Sequence, residues 1–563
     1  MNSSIQISKS TANLYLWKMR VYFPKWVLLS FFALLLSTGA KWSEDLFEYS
    51  KNIEIFSSVY KEVIESYVDE IPPAQLREAA IKSMLKTLDP YTVFFSEYQA
   101  EEAMIERYGE YGGVGCQVVE RDGLPMVSKI IKGFGFDNAG IRLGDKVFKV
   151  GKLELTDQPV DEMMQYFRGA PNTKFEVTII RGKDTFQKEV TRTRVQSKSV
   201  SHFGFIDSSH SGDFKGIGYI KLDEFGRNCS KEIESALNAL LKSKQLEGLI
   251  LDLRNNGGGL LNEAVNIVGF FTEKNLTVVN LIGKKYKGPS NWKTSQDPIA
   301  PELPLAVLVN NRSASASEVV SGSLQDLDRA VIIGQNSFGK GLVQNYQSLP
   351  YRTQMKLTTA RYYTPSGRCI QRLHYEEKDS KGKAKILKNE EKKSFKTKNG
   401  RIVFEGGGID PDVETDAFQG VSILGWLKDQ YVIFDWANLA LQQFKNSMAN
   451  DNEILNSFID YSKNQGFEHA VNNINTIIAS SGKDSILLKE IGNVQFSSES
   501  FDSKIKTAVN SNMDIFLFEL KKALLIRIDD PKSNQNLLKL DKEILLSSQL
   551  LHNPKRIKSI LNP

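Results

Sequence analysis

Residues 304–341 read PLAVLVNNRSASASEVVSGSLQDLDRAVIIGQNSFGKG. Pro304 to Asn310 is a short apolar run with turn residues at both ends, which predicts a buried strand. After a turn of small residues, Glu318 to Leu327 places Val320, Leu324 and Leu327 at helical spacing. Arg329 to Gly334 is a second buried strand, and it delivers Lys340 on a Gly-flanked loop. Strand, helix and strand in this order predict an α/β core. Ser315 falls at the strand-to-helix junction, where free backbone N–H groups and the helix dipole favour negative charge.

A serine hydroxyl attacks poorly until a base takes its proton, and a lysine of lowered pKa can be that base. Histidine, the usual base, is scarce, with five in 563 residues. His210 and His374 are the nearest to Ser315 in sequence, and neither sits in a motif. A Ser/Lys hydrolase therefore fits better than a Ser/His/Asp one. Plainer readings exist for the same residues. Ser315 and Glu318 have the spacing of a capping box. Gly334, Gly339 and Lys340 match the front of a phosphate-binding loop, but Gly341 stands where that loop needs a Ser or Thr hydroxyl.

A glycine run supplies a second feature. Leu249 to Leu253 reads as a buried strand ending in Arg254-Asn255-Asn256-Gly257-Gly258-Gly259, ahead of a helix with Leu260, Leu261, Ala264 and Val265. Consecutive glycines let backbone N–H groups approach an oxyanion that side chains would block. The plain alternative is an ordinary strand-to-helix turn. Asp252 and Arg254 read as a structural pair or as caps.

The string from Ser313 to Gln344 resembles the catalytic segment of the C-terminal processing (tail-specific) peptidases, a Ser/Lys serine protease family. Four further blocks follow that family's order: Ile217–Ile220, Leu251–Gly259, Tyr362–Arg368 and Gly406–Val413. The resemblance covers about residues 50–415. It implies Ser315 as nucleophile, Lys340 as general base and Gln344 as the residue positioning that lysine. It implies an oxyanion hole at Gly257 or Gly258 together with the N–H of Ala316. The implied architecture is multidomain α/β, with a ClpP/crotonase-like core at 198–417 that carries a Lys-rich loop at 378–401. That loop reads as a solvated insertion.

Upstream, Gly112 to Val118 and Asn138 to Val147 resemble a PDZ domain, at residues 112–195. Such a domain holds a terminal carboxylate in backbone N–H groups and pairs the peptide as an added strand. Here those amides belong to Val114, Gly115 and Cys116. Residues 45–108 read as an N-terminal helical region, with a helical pair before the turn Asp89-Pro90; it resembles the family's N-terminal region, often used for dimerisation, so a homodimer is implied. Residues 418–563 are a helical extension without chemistry of its own.

Composition agrees with a multidomain enzyme. The length predicts about three or four domains, and 41% apolar with 25% charged residues is ordinary globular usage. A net charge of +5 from 72 basic and 67 acidic residues is too balanced to imply nucleic acid. Cys116, Cys229 and Cys369 are widely spaced and give neither a disulfide framework nor a metal cluster. No metal, nucleotide or other cofactor is expected. Residues 1–25 are basic, and 26–40 form an apolar run short of the ~20 residues of a membrane span, which suits a secretory signal. Thr38-Gly39-Ala40 offers a cleavage site; uncleaved, the run is an inner-membrane anchor. No cysteine follows it, which argues against a lipoprotein. The charge bias places the enzyme outside the cytoplasm, in the bacterial periplasm or cell envelope. The expected partners are polypeptides with free C-termini, with room for an adaptor or activator protein. The rivals are a non-catalytic peptide-binding scaffold of the same fold and an esterase-like hydrolase of small acyl groups.

Overall fold

The computed structural model describes residues 25–97, 99–100, 110–157, 160–196, 198–207, 212–284, 288, 290–378, 384–415, 422–444, 450–463, 498–528 and 531–562. The chain divides into two units, Met1–Thr87 and Leu88–Pro563. In the first, helix α1 (Lys25–Ser66) is followed by α2 (Pro73–Lys86), which starts on a proline. Proline suits a first helical position because its missing N–H would have no partner there anyway. The Tyr60 hydroxyl donates to Pro73 O at 2.9 Å and ties the pair together. Leu46, Phe47, Ile53 and Phe56 are exposed on α1. No helix among the described residues is long and apolar enough to cross a membrane. The apolar run 26–40 lies within α1, and its side chains are outside the described residues.

The helical pair ends at Lys86, ahead of the turn expected at Asp89-Pro90. Asp89 accepts from the N–H groups of Tyr91 (2.8 Å) and Thr92 (2.9 Å), a side-chain turn that competes with helix. Strand β1 (Val93–Phe95) follows and belongs to the second unit.

An upstream module comes next. Its ends pair as β2 (Glu110–Gly113) and β9 (Thr193–Gln196). Between them lie β3 (Cys116–Arg121), β4 (Leu124–Ile130), β5 (Lys146–Val150), β6 (Leu153–Glu154), β7 (Lys174–Arg181) and β8 (Asp184–Thr191). They form one antiparallel sheet in the order β3-β4-β5-β7-β8, with β6 on β5. Helices α3 (Gly135–Asn138) and α4 (Val160–Phe167) cover it, and Phe136 and Phe167 meet edge to face in its core.

The central sheet orders β10 (Val200–Phe205), β11 (Ile217–Leu222), β12 (Gly248–Asp252), β15 (Leu305–Val309), β16 (Val331–Gly334) and β23 (Val413–Glu414). All pairs but β10–β11 are parallel. Alternate residues of a strand face opposite sides, and here both sides are buried. Leu249, Leu251, Leu305, Val307 and Ile332 pack against helices α5 (Cys229–Leu241), α6 (Leu261–Gly269) and α7 (Ala316–Asp326). A second, antiparallel sheet joins β1, β13 (Thr277–Ile282), β14 (Ser290–Lys293), β17 (Leu342–Ser348) and β18 (Gln354–Tyr363).

The Lys-rich tract is not simply a solvated insertion. It carries β20 (Ala384–Ile386), which pairs with β19 (Leu373–Lys378), and β21 (Ser394–Lys396), which pairs with β22 (Ile402–Phe404). Arg401 anchors the second hairpin, with Nε 2.6 Å from Asp328 and a further ion pair to Asp412. Lysine density hid the anchoring acids, which lie elsewhere in the chain.

The described residues past 421 are mostly helical, but they do not form one appendage. Helices α8 (Ser422–Asp429), α9 (Val432–Phe444), α10 (Asp451–Tyr461), α11 (Ser498–Ser511) and α12 (Met513–Leu525) share a core around Trp436, Phe458 and Phe516. This bundle meets the upstream module through Arg121, 2.8 Å from Asp435. Helices α13 (Pro531–Leu540), α14 (Lys542–Leu551) and α15 (Pro554–Leu561) return to the central sheet. Ile544, Leu550 and Leu551 bury Ile250, Ala306, Leu308 and Ile333 on the face that α5 to α7 leave open. The last helices thus complete the cover of the central sheet, as two-sided burial of a parallel sheet requires. Ile544→Ala should lower stability by about 2–5 kcal/mol, read by urea denaturation; a loss under about 0.5 kcal/mol, usual for a surface change, would show that α14 is only loosely applied.

Candidate active site

Ser315 is the residue at which β15 turns into α7. It is buried and has φ 56° and ψ −112°. A non-glycine residue held at positive φ costs about 1–3 kcal/mol and persists only where its surroundings impose it. The surroundings here are specific. The Ser313 hydroxyl donates to Leu253 O at 2.8 Å, Ala314 N–H to Asn256 O at 3.0 Å, and the Ser317 hydroxyl to the same Asn256 O at 2.9 Å. The flanking serines thus fasten the turn to the glycine loop, and Ser315 is left at its tip.

Glu318, one turn into α7, is fully buried. Its carboxylate accepts from Ser315 N–H (2.8 Å), Ser337 Oγ (2.5 Å), Gly339 N–H (2.6 Å) and Lys340 N–H (2.8 Å). Burial raises its pKa, and these four donors work the other way. The expected capping-box bond from the glutamate to the serine backbone is therefore present, but it is one quarter of the carboxylate's work. The other three bonds hold the loop that carries Lys340. Phe338 N–H adds a direct tie to Ser313 O at 2.9 Å.

The Lys340 loop is also gripped from outside. Arg372 donates to Ser337 O and Gly407 O, and Gln371 accepts from Gly341 N–H at 2.7 Å. Gly339 has φ 85°, and a Cβ there would lie 2.5 Å from that of Arg372. The Lys340 ammonium lies 4.5 Å from the centre of the Tyr91 ring. Burial pushes its pKa below the ordinary lysine value, and the charge of Lys356 adds to that; Glu318 and Asp89 oppose it.

Beside Ser315 runs the glycine loop. A side chain at Gly258, φ 100°, would collide with Ala314 O, Ser315 Cβ and Ala316 N. The Gly258 N–H is engaged, donating to Asn256 Oδ1 at 2.9 Å. The N–H groups of Gly257 and Ala316 donate to no acceptor among the described residues. Ser315, Lys340, Gln344 and the glycine loop line one cleft of about 470 Å³. Leu261, Leu281, Trp292 and Tyr362 give it apolar wall.

A family model, Peptidase family S41, matches residues 216–377. The carboxy-terminal-processing protease of Bartonella bacilliformis is 32% identical over 356 residues, covering 62% of this chain and 80% of that protein. The chain belongs to the carboxy-terminal-processing proteases of peptidase family S41. A "Probable CtpA-like serine protease" of Staphylococcus aureus is 33% identical over 324 residues, 57% of this chain and 62% of that protein. Among solved structures, a photosystem II D1 C-terminal processing protease is 25% identical, covering 64% of this chain and 92% of that chain, with a TM-score of 0.37. That likeness is too loose to carry structural detail across.

Gln344 reaches the cleft from β17 but makes no hydrogen bond to Lys340. Its amide donates to Leu342 O at 3.2 Å and Thr358 Oγ1 at 3.4 Å. In the upstream module, the N–H groups of Val114 and Gly115 donate to no acceptor among the described residues, while their carbonyls accept from Phe136 and Ile131. The Cys116 side chain is buried in that module's core, and burial pushes its thiol up to about 12. Asp252 and Arg254 do form the expected pair, at 2.6 Å. Burial alone would raise the Asp252 pKa, yet Arg254 and Lys221 hold it below the usual carboxylate range.

The sequence reading missed Glu318 as a hub, Tyr91 and Lys356. For Glu318 a signal existed: a carboxylate inside an otherwise apolar and small-residue helix start must find several donors or a partner charge. Glu318→Gln puts an N–H donor where only acceptors serve. Each lost bond to a charged acceptor is worth about 1.5–3 kcal/mol, so peptidase activity should fall by about tenfold or more with unchanged far-UV circular dichroism. Undiminished turnover in E318Q would show that other contacts hold the two loops.

Proposed function

We propose that this chain is a serine endopeptidase that cleaves polypeptides near their C-termini with a Ser315/Lys340 dyad, on a ClpP/crotonase-like core. The observation that carries the reading is the buried Glu318 carboxylate, which ties the Ser315 backbone to the Lys340 loop at one cleft. Neutral Lys340 takes the Ser315 proton, and Ser315 Oγ attacks the scissile carbonyl. The developing oxyanion is met by the N–H groups of Gly257 and Ala316, which need no reorganisation at that moment. Gly258 serves by lacking a side chain. The protonated Lys340 gives its proton to the leaving amine. Water then attacks the acyl-enzyme with Lys340 again as base, and Ser315 is regenerated. Gln344 orients the lysine once substrate has filled the cleft. Catalytic contacts of this kind often tighten only in the substrate complex.

In this reading residues 112–195 act as a PDZ domain. The free N–H groups of Val114 and Gly115, with that of Cys116, receive the substrate's terminal carboxylate, and the adjoining chain enters the cleft as a strand. An unfolded polypeptide with a free end should be cleaved faster than the same chain amidated, because a carboxylate binds backbone N–H more strongly than an amide does. Ser315→Ala should lower turnover by several orders of magnitude while leaving the melting temperature nearly unchanged, and Ser313→Ala should keep a measurable rate. Equal rates on both tails would remove the module from substrate selection. Full activity in Ser315→Ala would remove the dyad.

The reading extends to the surroundings. An extracytoplasmic site of action, a membrane tether through residues 26–40 and an adaptor protein rest on the sequence alone. Self-association is supported by the exposed Leu46, Ile53 and Phe56 on α1. The protein should therefore scatter light as a dimer, and Ile53→Glu with Phe56→Glu should halve that mass. A monomer in the unmodified protein would dismiss it.

A further inference from the structure

Two lysines enter the cleft, and the dyad accounts for one of them. The other, Lys356, comes from β18, where it sits opposite Val93 of β1 on one side and Tyr346 of β17 on the other. Its ammonium lies 5.8 Å from the centre of the Phe95 ring. It is only partly exposed, and it has no carboxylate partner among the described residues. The segment through β1 thus sets an aromatic face beneath each lysine, Tyr91 under Lys340 and Phe95 under Lys356. Phe95 in turn stacks on Tyr346, with ring centres 6.1 Å apart. An aromatic face stabilises an ammonium without neutralising it. The charge on Lys356 is therefore held in the cleft and left uncompensated.

We propose that Lys356 is a positioning residue for the reaction: its fixed positive charge keeps Lys340 in the neutral, proton-accepting form. This rests on the reading of Lys340 as the general base. Four groups bear on the charge of Lys340; Tyr91 lies beneath its ammonium, and Lys356 lines the same cleft. Glu318 on α7, and Asp89 and Tyr91 ahead of β1, favour an ammonium; Lys356 on β18 disfavours it. The Glu318 carboxylate is already shared among four donors, and the Tyr91 hydroxyl, its pKa raised by burial and by Tyr375, stays neutral. A cation beside a second ionisable amine destabilises that amine's protonated form, so Lys340 loses its proton at lower pH with Lys356 present than without it. Burial alone would act in the same direction, but it acts on any lysine in the cleft. The second charge makes the effect depend on one named residue.

The test is the pH dependence of kcat and KM for the full-length enzyme, on a peptide with an amidated end and no acidic residue, so that Lys356 has no substrate carboxylate to hold. In Lys356→Met and Lys356→Gln the acidic limb of the kcat/KM profile should move up by about one pH unit. That is a loss of about tenfold at neutral pH, recovered at alkaline pH. Lys356→Arg, which keeps the charge, should retain the original limb. Melting temperatures of the three variants separate this from misfolding, because only a shifted limb recovers with pH. The proposal is overturned if both neutral variants keep the wild-type limb, or if their defect is a rise in KM at every pH. Failure of the underlying reading has a different signature: residual activity of Lys340→Ala would then show the wild-type acidic limb.

Discussion

The buried carboxylate of Glu318 is the point at which the two halves of the site are joined. Ser315 ends one β-strand connection and Lys340 sits in the next, so nothing in the order of the chain brings them together. Two oxygens with four donors do so instead. Burying an ionised carboxylate is costly unless its lone pairs are filled, and here backbone N–H groups and one hydroxyl fill them. The partners are amides rather than a cation. Glu318 therefore forms no ion pair with the Lys340 ammonium, although its charge favours that ammonium, and the lysine side chain is left to face the cleft.

A second network sets the glycine loop. Arg254 directly precedes Asn255 and Asn256, and it binds Asp252, Asp541 (2.9 Å) and Glu543 (2.5 Å). Asp541 is itself the cap of α14, accepting from Glu543 N–H at 3.0 Å. Such a group of charges contributes little net stability compared with apolar packing of the same volume, but removing one partner strands the others. Its effect is geometric. The end of β12, and with it the loop beside Ser315, is fastened to a helix from the far end of the chain.

The legible parts of the molecule were those whose signal is local. The strands of the central sheet are buried on both faces, so they stand out as continuous apolar runs such as Leu305–Val309. Ser315 and Lys340 sit in turns rich in small residues, where a reactive side chain is conspicuous. Other features depended on partners that no window of sequence contains. Glu318 looked like a helix cap because three of its four donors lie beyond the next strand. Lys356 occupies an alternating strand, Gln354–Tyr363, where a lysine reads as a solvent-facing residue. Tyr91 follows the Asp89-Pro90 turn, far in sequence from the lysine it meets. The second cover of the central sheet was hidden most completely, since an amphipathic helix does not declare which surface it will meet.

That cover has a consequence for how the enzyme comes into being. Arg254 and Glu543 are 289 residues apart in the chain, and Lys215 and His552 are 337 apart. Contacts so distant close late, because loop entropy must be overcome before they repay it. During synthesis one face of the catalytic sheet stays bare until the ribosome has released α14, while the upstream module and the cleft-lining loops have long since emerged. A chain cut before α14 would leave Ile250, Ala306, Leu308 and Ile333 uncovered and Arg254 without two of its three carboxylate partners, so the loop beside Ser315 would lose its outer support.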